Sequence, residues 1–235
     1  MTILLALYWP TLFVFALIPV PRVVREAGVS DKSLHFFMYL TLIYLLWFAV
    51  RCDEKVNWRR AEPWWVLAIV AVYGILDEWS QGFVAGRSCD PRDFSADMAG
   101  ALTGLILFSV FALRPAGLLV ATAVIFGMTN VTRTDLAELM PVTSAMFHLF
   151  AYAIFTALWA QYIRHSQPAM RLPGSEMKWL TVALAAPTAL LLIVKLFSLI
   201  FGRAFALRDM LISAGGIGVV VAVVYLTPLF RRTKH

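Results

Sequence analysis

The chain has 235 residues, of which 61% are hydrophobic and only 14% are charged. A soluble domain carries about 45–50% apolar and about 25% charged residues, so this composition excludes a soluble globular protein. The net charge of +6 does not indicate nucleic-acid binding, because the basic residues are scattered between apolar runs and do not gather in one segment. The composition therefore predicts an integral membrane protein in contact with the lipid bilayer.

Eight apolar runs follow one another along the chain, and a helix needs about 20 such residues to cross a bilayer. They are Ile3–Ile18, Ser33–Val50, Trp64–Val84, Asp93–Leu113, Gly117–Val131, Val142–Ile163, Trp179–Ile200 and Asp209–Leu226. The runs are continuous rather than alternating, and a helix satisfies its own backbone hydrogen bonds in lipid. The sequence thus predicts an all-α, polytopic bundle of about eight transmembrane helices, with a tight turn at Arg114-Pro115 between the fourth and fifth.

Basic residues in the loops predict the orientation of these helices. Eleven lie on the side of the N-terminus and eight on the opposite side, and positive residues favour the cytoplasm. We therefore expect both termini in the cytoplasm, with the first apolar run, which has no basic residue before Arg22, kept as a span. Cys52 and Cys89 would then lie on opposite sides of the membrane and could not form a disulfide with each other.

Residues of the first half recur in the second half. His35-Phe36-Phe37-Met38-Tyr39 matches His148-Leu149-Phe150-Ala151-Tyr152 at a spacing of 113 residues. A spacing of 116 relates three further matches, which are Gly86-Arg87 with Gly202-Arg203, Arg92-Asp93 with Arg208-Asp209, and Gly100 with Gly216. Four helices return the chain to its starting side, so both halves would have the same orientation. This pattern predicts a duplication, with four-helix units at 1–115 and 116–235 in a parallel 4+4 repeat.

Polar residues of the first half gather at three predicted helix ends near the outer membrane face. Asp31, His35 and Tyr39 lie one turn apart on the second span, and Asp77 and Gln81 share a face of the third. Charges within a spanning helix are costly and usually mark function. The sequence predicts one outward-facing pocket there, with candidate binding residues Asp31, Lys32, His35, Tyr39, Glu78, Gln81, Arg87, Ser88, Arg92, Asp93 and Asp97.

These residues carry a resemblance to a known family. Asp31-Lys32-x-x-His35-x-x-x-Tyr39, then Glu78-x-x-Gln81-x-x-x-x-Gly86-Arg87-Ser88, then Asp93 with Gly100 and Gly104, resembles the VanZ-like family. The resemblance covers about residues 1–113 and, in degenerate form, the second half. It implies a bacterial protein of the inner membrane, in a family named for a membrane protein associated with low-level teicoplanin resistance.

The sequence departs from the family pattern in two places. Asp97 stands where the family usually has Asn, so an acid replaces a neutral amide. In the second half, Val194 and Phe197 stand where Glu78 and Gln81 would be. We interpret three polar residues of that half, His148, Arg203 and Asp209, as relics that keep it folded, with a direct role in the site as the alternative.

Three functions fit the polar residues. The pocket could bind or handle an anionic envelope lipid or lipid-linked glycan, since arginines recognise phosphates and carboxylates. It could be a membrane-embedded hydrolase or transferase acting on a lipid-linked substrate, with Glu78 or His35 as acid or base. It could also be a scaffold in which polar side chains tie helices together, Asp31 and Asp93 serving only as helix caps.

The sequence does not decide whether the protein is an enzyme. It contains neither HExxH nor GxSxG, so catalytic residues are limited to the candidates Glu78 and His35. Carboxylates and imidazoles such as those of Asp31, His35, Glu78 and Asp93 can hold a divalent ion, but no metal-ligand spacing occurs and no metal or other cofactor is assigned. Glycine-rich surfaces on the fourth and eighth spans leave a homo-oligomer open.

Overall fold

The computed structural model describes residues 2–17, 31–51, 54–84, 87, 89–130, 141–166, 176–202 and 207–232. Within these ranges the chain forms eight α-helices and no strand, which confirms the predicted all-α fold. The helices are α1 (Thr2–Leu17), α2 (Asp31–Arg51), α3 (Glu62–Gln81), α4 (Pro91–Val110), α5 (Leu113–Asn130), α6 (Pro141–Ser166), α7 (Glu176–Ile200) and α8 (Leu207–Arg232).

Six of these helices, α2 and α4 to α8, are long and apolar enough to cross a membrane. The other two are shorter or more polar: α1 has 16 residues, and α3 carries Glu62, Asp77 and Glu78. Large apolar side chains such as Ile106 and Val223 are more than half exposed on the outside of the helices. In water such a surface would be unfavourable, so it faces lipid. The protein is a multi-pass membrane protein.

Several predicted helix boundaries differ from the observed ones by three or more residues. The turn expected at Arg114-Pro115 lies earlier, because α4 ends at Val110 and α5 begins at Leu113. Proline is tolerated in the first turn of a helix, where its missing N–H would have no partner. The third span was expected to reach Val84, but α3 ends at Gln81.

The chain divides into two compact units, and the division falls within α5, after Val124. Unit one contains α1 to α4 and most of α5; unit two contains the end of α5 and α6 to α8. The predicted boundary at 115/116 lies close to this division in the sequence. The duplication itself stays a prediction.

In unit one, α2 forms the centre of the core and packs tightly against α4. Leu42 and Ile43 of α2 are fully buried. A Cβ atom on Gly100 would overlap the Phe36 carbonyl oxygen, and one on Gly104 would overlap the Ile43 side chain. Only glycine therefore allows α4 to approach α2 this closely, as in small-xxx-small helix pairs. This close contact brings the polar starts of both helices together.

Unit two has a corresponding contact of its own. There α6 packs against α8, and a Cβ atom on Gly216 would lie 3.0 Å from the Leu149 carbonyl oxygen. In the sequence alignment of the halves, Gly216 corresponds to Gly100 and Leu149 to Phe36. The same pair of positions thus forms the close backbone approach within each unit.

Candidate functional site

The polar residues of unit one meet where α2 begins, α3 ends and α4 begins. The Lys32 ammonium lies 3.2 Å from Asp93 Oδ1 and 3.3 Å from Asp90 Oδ2, which connects the start of α2 to the start of α4. Glu78 Oε2 accepts a hydrogen bond of 2.9 Å from the Asp90 backbone N–H, which connects the end of α3 to the same point. We call this group the polar cluster; it comprises Asp31, Lys32, His35, Asp77, Glu78, Gln81, Arg87, Asp90, Asp93 and Asp97.

His35 lies between two carboxylates at the centre of the polar cluster. Its Nδ1 is 2.9 Å from Asp97 Oδ1, and its Nε2 is 4.0 Å from Asp31 Oδ1. Asp97 is fully buried and His35 is 5% exposed. Hydrogen bonds to carboxylates fix the orientation of an imidazole and stabilise its protonated form, so this arrangement can hold or transfer a proton.

The end of α3 contributes three buried side chains, Asp77, Glu78 and Gln81. Gln81 Nε2 donates to Asp77 Oδ2 at 3.2 Å, one helical turn away. Their neighbours Trp79 and Phe83 are largely exposed. The helix therefore ends with a polar face toward the protein and an aromatic face toward the surroundings.

Several buried acceptor oxygens in the polar cluster receive no hydrogen bond from the part of the chain that the structure describes. They are Asp77 Oδ1, Glu78 Oε1, Gln81 Oε1 and Asp97 Oδ2. The hydroxyls of Tyr39 and Tyr73 are buried near the Asp77 and Asp97 carboxylates, and neither hydroxyl has a hydrogen-bond partner among the described residues. An unsatisfied buried acceptor costs about 1–3 kcal/mol. Such a group of oxygens suits a ligand that supplies hydrogen-bond donors or positive charge.

Cationic side chains form the outer edge of the polar cluster. Arg87 Nη1 lies 2.9 Å from Asp31 Oδ2, with the arginine side chain only 9% exposed. The Lys32 side chain is 44% exposed, and Arg92 is exposed as well. Positive charge is therefore accessible at the edge, above an interior rich in carboxylates.

The cap of α4 differs from the sequence expectation. Asp90, not Asp93, is the N-cap residue, and its side chain accepts a hydrogen bond from the Arg92 backbone N–H. This bond and the nearby Lys32 ammonium hold the pKa of Asp90 below its usual range. Asp93, two residues inside the helix, is instead buried against Lys32.

The structure brings together most residues that the sequence predicted for the site. Tyr39 is buried one turn below His35, Arg92 lies at the edge, and Ser88 lies outside the described residues. The predicted list of binding residues left out Asp77, Tyr73 and Asp90, although Asp77 was recognised on the polar face of the third span. A signal for each was present: Tyr73, Asp77 and Gln81 are spaced four residues apart, and Asp90 directly precedes Pro91, a pattern typical of helix starts.

The corresponding residues of unit two form a less charged group. Ser213, which corresponds to Asp97, has its Oγ 3.4 Å from His148 Nδ1. His148 Nε2 lies 3.6 Å from Asp209 Oδ2, and Ser144 donates to that carboxylate at 2.8 Å. Arg203 lies outside the described residues. Unit two thus keeps a buried histidine and one carboxylate where unit one has several.

Two groups in the polar cluster have the composition of a metal site. One is Asp31, His35 and Asp93, and the other is His35, Asp77 and Asp97. In each group, one ligand atom per residue lies within 4.8 Å of the others. All three residues of the second group are buried.

A cavity of about 680 Å³ lies at the opposite end of unit one, between the end of α2 and the start of α3. Four of its charged residues form ion pairs: Arg51 bonds Glu62, and Arg60 lies 3.9 Å from Glu54. Lys55 donates to the Val110 carbonyl oxygen. These ion pairs satisfy their own members, whereas several buried acceptors of the polar cluster have no donor among the described residues, so we place the candidate site in the polar cluster.

Comparison with known proteins gives one family. The family model described as VanZ/LLP1 matches residues 3–112, a segment that contains α2 to α4 and nearly all of α1. No curated protein and no solved structure matches the chain. The match contains all residues of the polar cluster.

Proposed function

We propose that this chain, which its residues 3–112 identify as a membrane protein of the VanZ-like family, binds a lipid headgroup in its polar cluster. The headgroup is that of an anionic cell-envelope lipid or lipid-linked glycan. The observation that carries the proposal is the set of buried acceptors that have no donor among the described residues, beneath an accessible cationic edge. A phosphorylated glycolipid offers what both parts need. Its phosphate is attracted by Lys32 and Arg92, and its sugar hydroxyls donate to carboxylate and amide oxygens.

The surroundings of the polar cluster fit a ligand with an apolar tail. Trp79 and Phe83 stack edge-to-face, with ring centroids 5.4 Å apart, and both are exposed beside the cluster. Aromatic side chains are favoured at the boundary between lipid and water. A lipid could keep its chains in the bilayer along α3 while its headgroup contacts Glu78 and Lys32. On the predicted topology this would occur at the outer face of the bacterial inner membrane.

Headgroup binding can be tested in lipid nanodiscs. The purified protein is placed in phosphatidylcholine nanodiscs that contain a small fraction of either phosphatidylglycerol or a polyprenyl-diphosphate-linked sugar, and native mass spectrometry measures the lipid retained per protein. We expect enrichment of an anionic lipid over phosphatidylcholine. Lys32→Gln and Glu78→Gln should each reduce this enrichment at least about tenfold, because removal of one charge-assisted hydrogen bond weakens the binding free energy by about 1.4 kcal/mol or more.

The matched control is Glu54→Gln, at the opposite end of unit one, which should leave enrichment unchanged. Enrichment in the sugar arm alone identifies a lipid-linked glycan, and enrichment in both arms identifies the phosphate as the group recognised. Equal retention of all three lipids, or enrichment that survives Lys32→Gln and Glu78→Gln in folded protein, contradicts headgroup binding.

A second candidate is a hydrolase or transferase acting on the same kind of lipid. It is favoured by the His35–Asp97 contact, since a histidine oriented by a carboxylate is a common general base. If the glycolipid is converted during incubation, and Glu78→Gln or His35→Ala still binds it without converting it, the enzyme is correct and simple binding is not the full function.

A further inference from the structure

The interior of the polar cluster has an imbalance of charge. Asp77 and Asp97 are both fully buried. Asp97 contacts His35, but the hydrogen-bond partner of Asp77 is Gln81, a neutral amide. Two buried carboxylates and one imidazole carry at least one net negative charge if both acids are ionised, and uncompensated buried charge is unfavourable. A ligand with two positive charges would balance the two ionised carboxylates beside a neutral histidine.

The spacing of the polar atoms fits a single metal ion. Ligand atoms about 2.1 Å from a metal, at tetrahedral or octahedral angles, lie about 3.0–3.4 Å from one another. His35 Nδ1 and Asp97 Oδ1 are 2.9 Å apart, and an Asp77 oxygen lies within 4.8 Å of both residues' ligand atoms. Movement of the Asp77 carboxylate toward that pair would complete three ligands around one point.

A second observation points to a ligand in the same place. Gln81 is 1% exposed, its amide is held against Asp77, and its Oε1 accepts no hydrogen bond within the described chain. Glu78 Oε1, on the neighbouring residue to Asp77, is likewise buried without a donor. An amide or carboxylate oxygen beside a metal site can bind the ion or hold a water molecule bound to it. These acceptors are therefore available around the three ligands.

We propose that His35, Asp77 and Asp97 bind one divalent transition-metal ion of the Mn²⁺ or Zn²⁺ kind. One imidazole and two carboxylates are a donor set that suits these ions better than Ca²⁺ or Mg²⁺, which prefer oxygen alone. The sequence assigned no metal ligand, because no local ligand spacing exists when the three residues come from three helices.

The ion also explains how an acid-rich interior accepts an anion. Three protein ligands leave positions open on the metal, and a phosphate oxygen could fill one of them. This extension to phosphate rests on the proposed function, whereas binding of the ion does not.

The test uses the full chain, purified in detergent, treated with a chelator and then titrated with Mn²⁺ alone. Electron paramagnetic resonance of free Mn²⁺ gives the stoichiometry, and electron spin-echo modulation detects nitrogen bound to the ion. We expect one Mn²⁺ per chain, a nitrogen signal from one imidazole, and displacement by Zn²⁺. These measurements need only the wild-type protein, so they decide the proposal even where a variant fails to fold.

Asp77→Asn and Asp97→Asn should each weaken Mn²⁺ binding at least about tenfold in protein that keeps its helical circular dichroism. Asp209→Asn is the matched control, because it also removes a buried carboxylate beside a histidine but lies in unit two. Absence of stoichiometric Mn²⁺ and Zn²⁺ binding, a bound ion without a nitrogen signal, or unchanged affinity in both folded variants overturns the proposal.

The metal-site proposal and the headgroup proposal can fail separately. Headgroup enrichment by a protein that binds no metal would refute the metal-site proposal alone. Metal binding without headgroup enrichment would refute the headgroup proposal alone.

Discussion

His35 Nδ1 lies 2.9 Å from Asp97 Oδ1, although the two residues are 62 positions apart in the chain. The bond joins α2 to α4 one helical turn from Gly100, where the backbone of α4 approaches that of α2 closely. Helix packing and polar contact therefore depend on each other at this point. In unit two the corresponding pair is His148 and Ser213, with 3.4 Å between Nδ1 and Oγ.

Replacing His35 by leucine should destabilise the protein by about 3 kcal/mol, because Asp97 is left buried without its partner. Asp97→Asn keeps an acceptor for the imidazole and should cost less. Thermal unfolding in detergent, followed by circular dichroism, measures both. His148→Leu in unit two is the comparison, since Asp209 keeps the Ser144 hydrogen bond; a larger loss there than for His35→Leu would contradict this interpretation.

Replacing glycines at the helix contacts by alanine should destabilise the protein by different amounts, in an order set by the space around each glycine. Gly100→Ala should cost more than about 2 kcal/mol, since the new Cβ overlaps the Phe36 backbone and neither helix can move without disturbing the core. Gly216→Ala should cost less, with 3.0 Å available. Gly215→Ala should be neutral, because nothing lies within 4 Å of its Cβ position. Unfolding temperatures of the three variants give the order, and equal values would show that the contacts do not determine stability.

The Arg87–Asp31 ion pair should contribute more than an exposed pair. Its arginine is 9% exposed and the contact is 2.9 Å, which favours a coupling energy of about 1 kcal/mol or more. A double-mutant cycle with Arg87→Gln and Asp31→Asn measures that coupling. Arg60 and Glu54, exposed and 3.9 Å apart, form the control pair, for which about 0–0.5 kcal/mol is expected. Similar coupling in both pairs would contradict a structural role for Arg87 with Asp31.

Loss of the α4 cap should depend on pH. Asp90→Ala removes the acceptor of the Arg92 N–H and should lower the unfolding temperature near neutral pH. Asp90→Asn should keep most of the wild-type stability, because the amide oxygen can still accept this hydrogen bond. The folded-state pKa of Asp90 lies below its usual 3.8, so its carboxylate stabilises the protein above that pH and stops doing so as the pH falls through the lower value. The difference between wild type and Asp90→Ala should therefore shrink below about pH 4. A constant difference down to about pH 3 would contradict the role of the charge.

Cysteine labelling tests the predicted topology. Cys89 is exposed, and in a Cys52→Ser variant it is the one remaining thiol. We expect a membrane-impermeant maleimide to label it from the outside of intact cells, because the loop after α3 is predicted to face outward. A cysteine placed near the C-terminus of a variant lacking both native thiols should react only after the membrane is permeabilised. The reverse pattern would invert the orientation and place the polar cluster at the cytoplasmic face.

The sequence by itself determined the class of protein and the helices. Lipid offers the backbone no hydrogen-bond partners, so continuous apolar runs can only be helices, and the eight predicted ones are all observed. It also located the polar residues at three helix ends, because charges are rare enough in apolar runs to stand out. Helix boundaries were less secure: the start of α5 and the cap of α4 depend on single side chains such as Asp90.

Only the tertiary structure decided which polar atoms meet. Lys32 pairs with Asp93, 61 residues away, and His35 with Asp97, while the Asp77 carboxylate accepts from the Gln81 amide among the described residues. Periodicity indicates which residues share one face of a helix, but partners on different helices depend on how the helices are rotated and how closely they approach. In unit one that rotation and distance depend on the contact of Gly100 with the backbone of α2; the Gly100-xxx-Gly104 spacing marks a contact face on α4 but does not specify its partner helix.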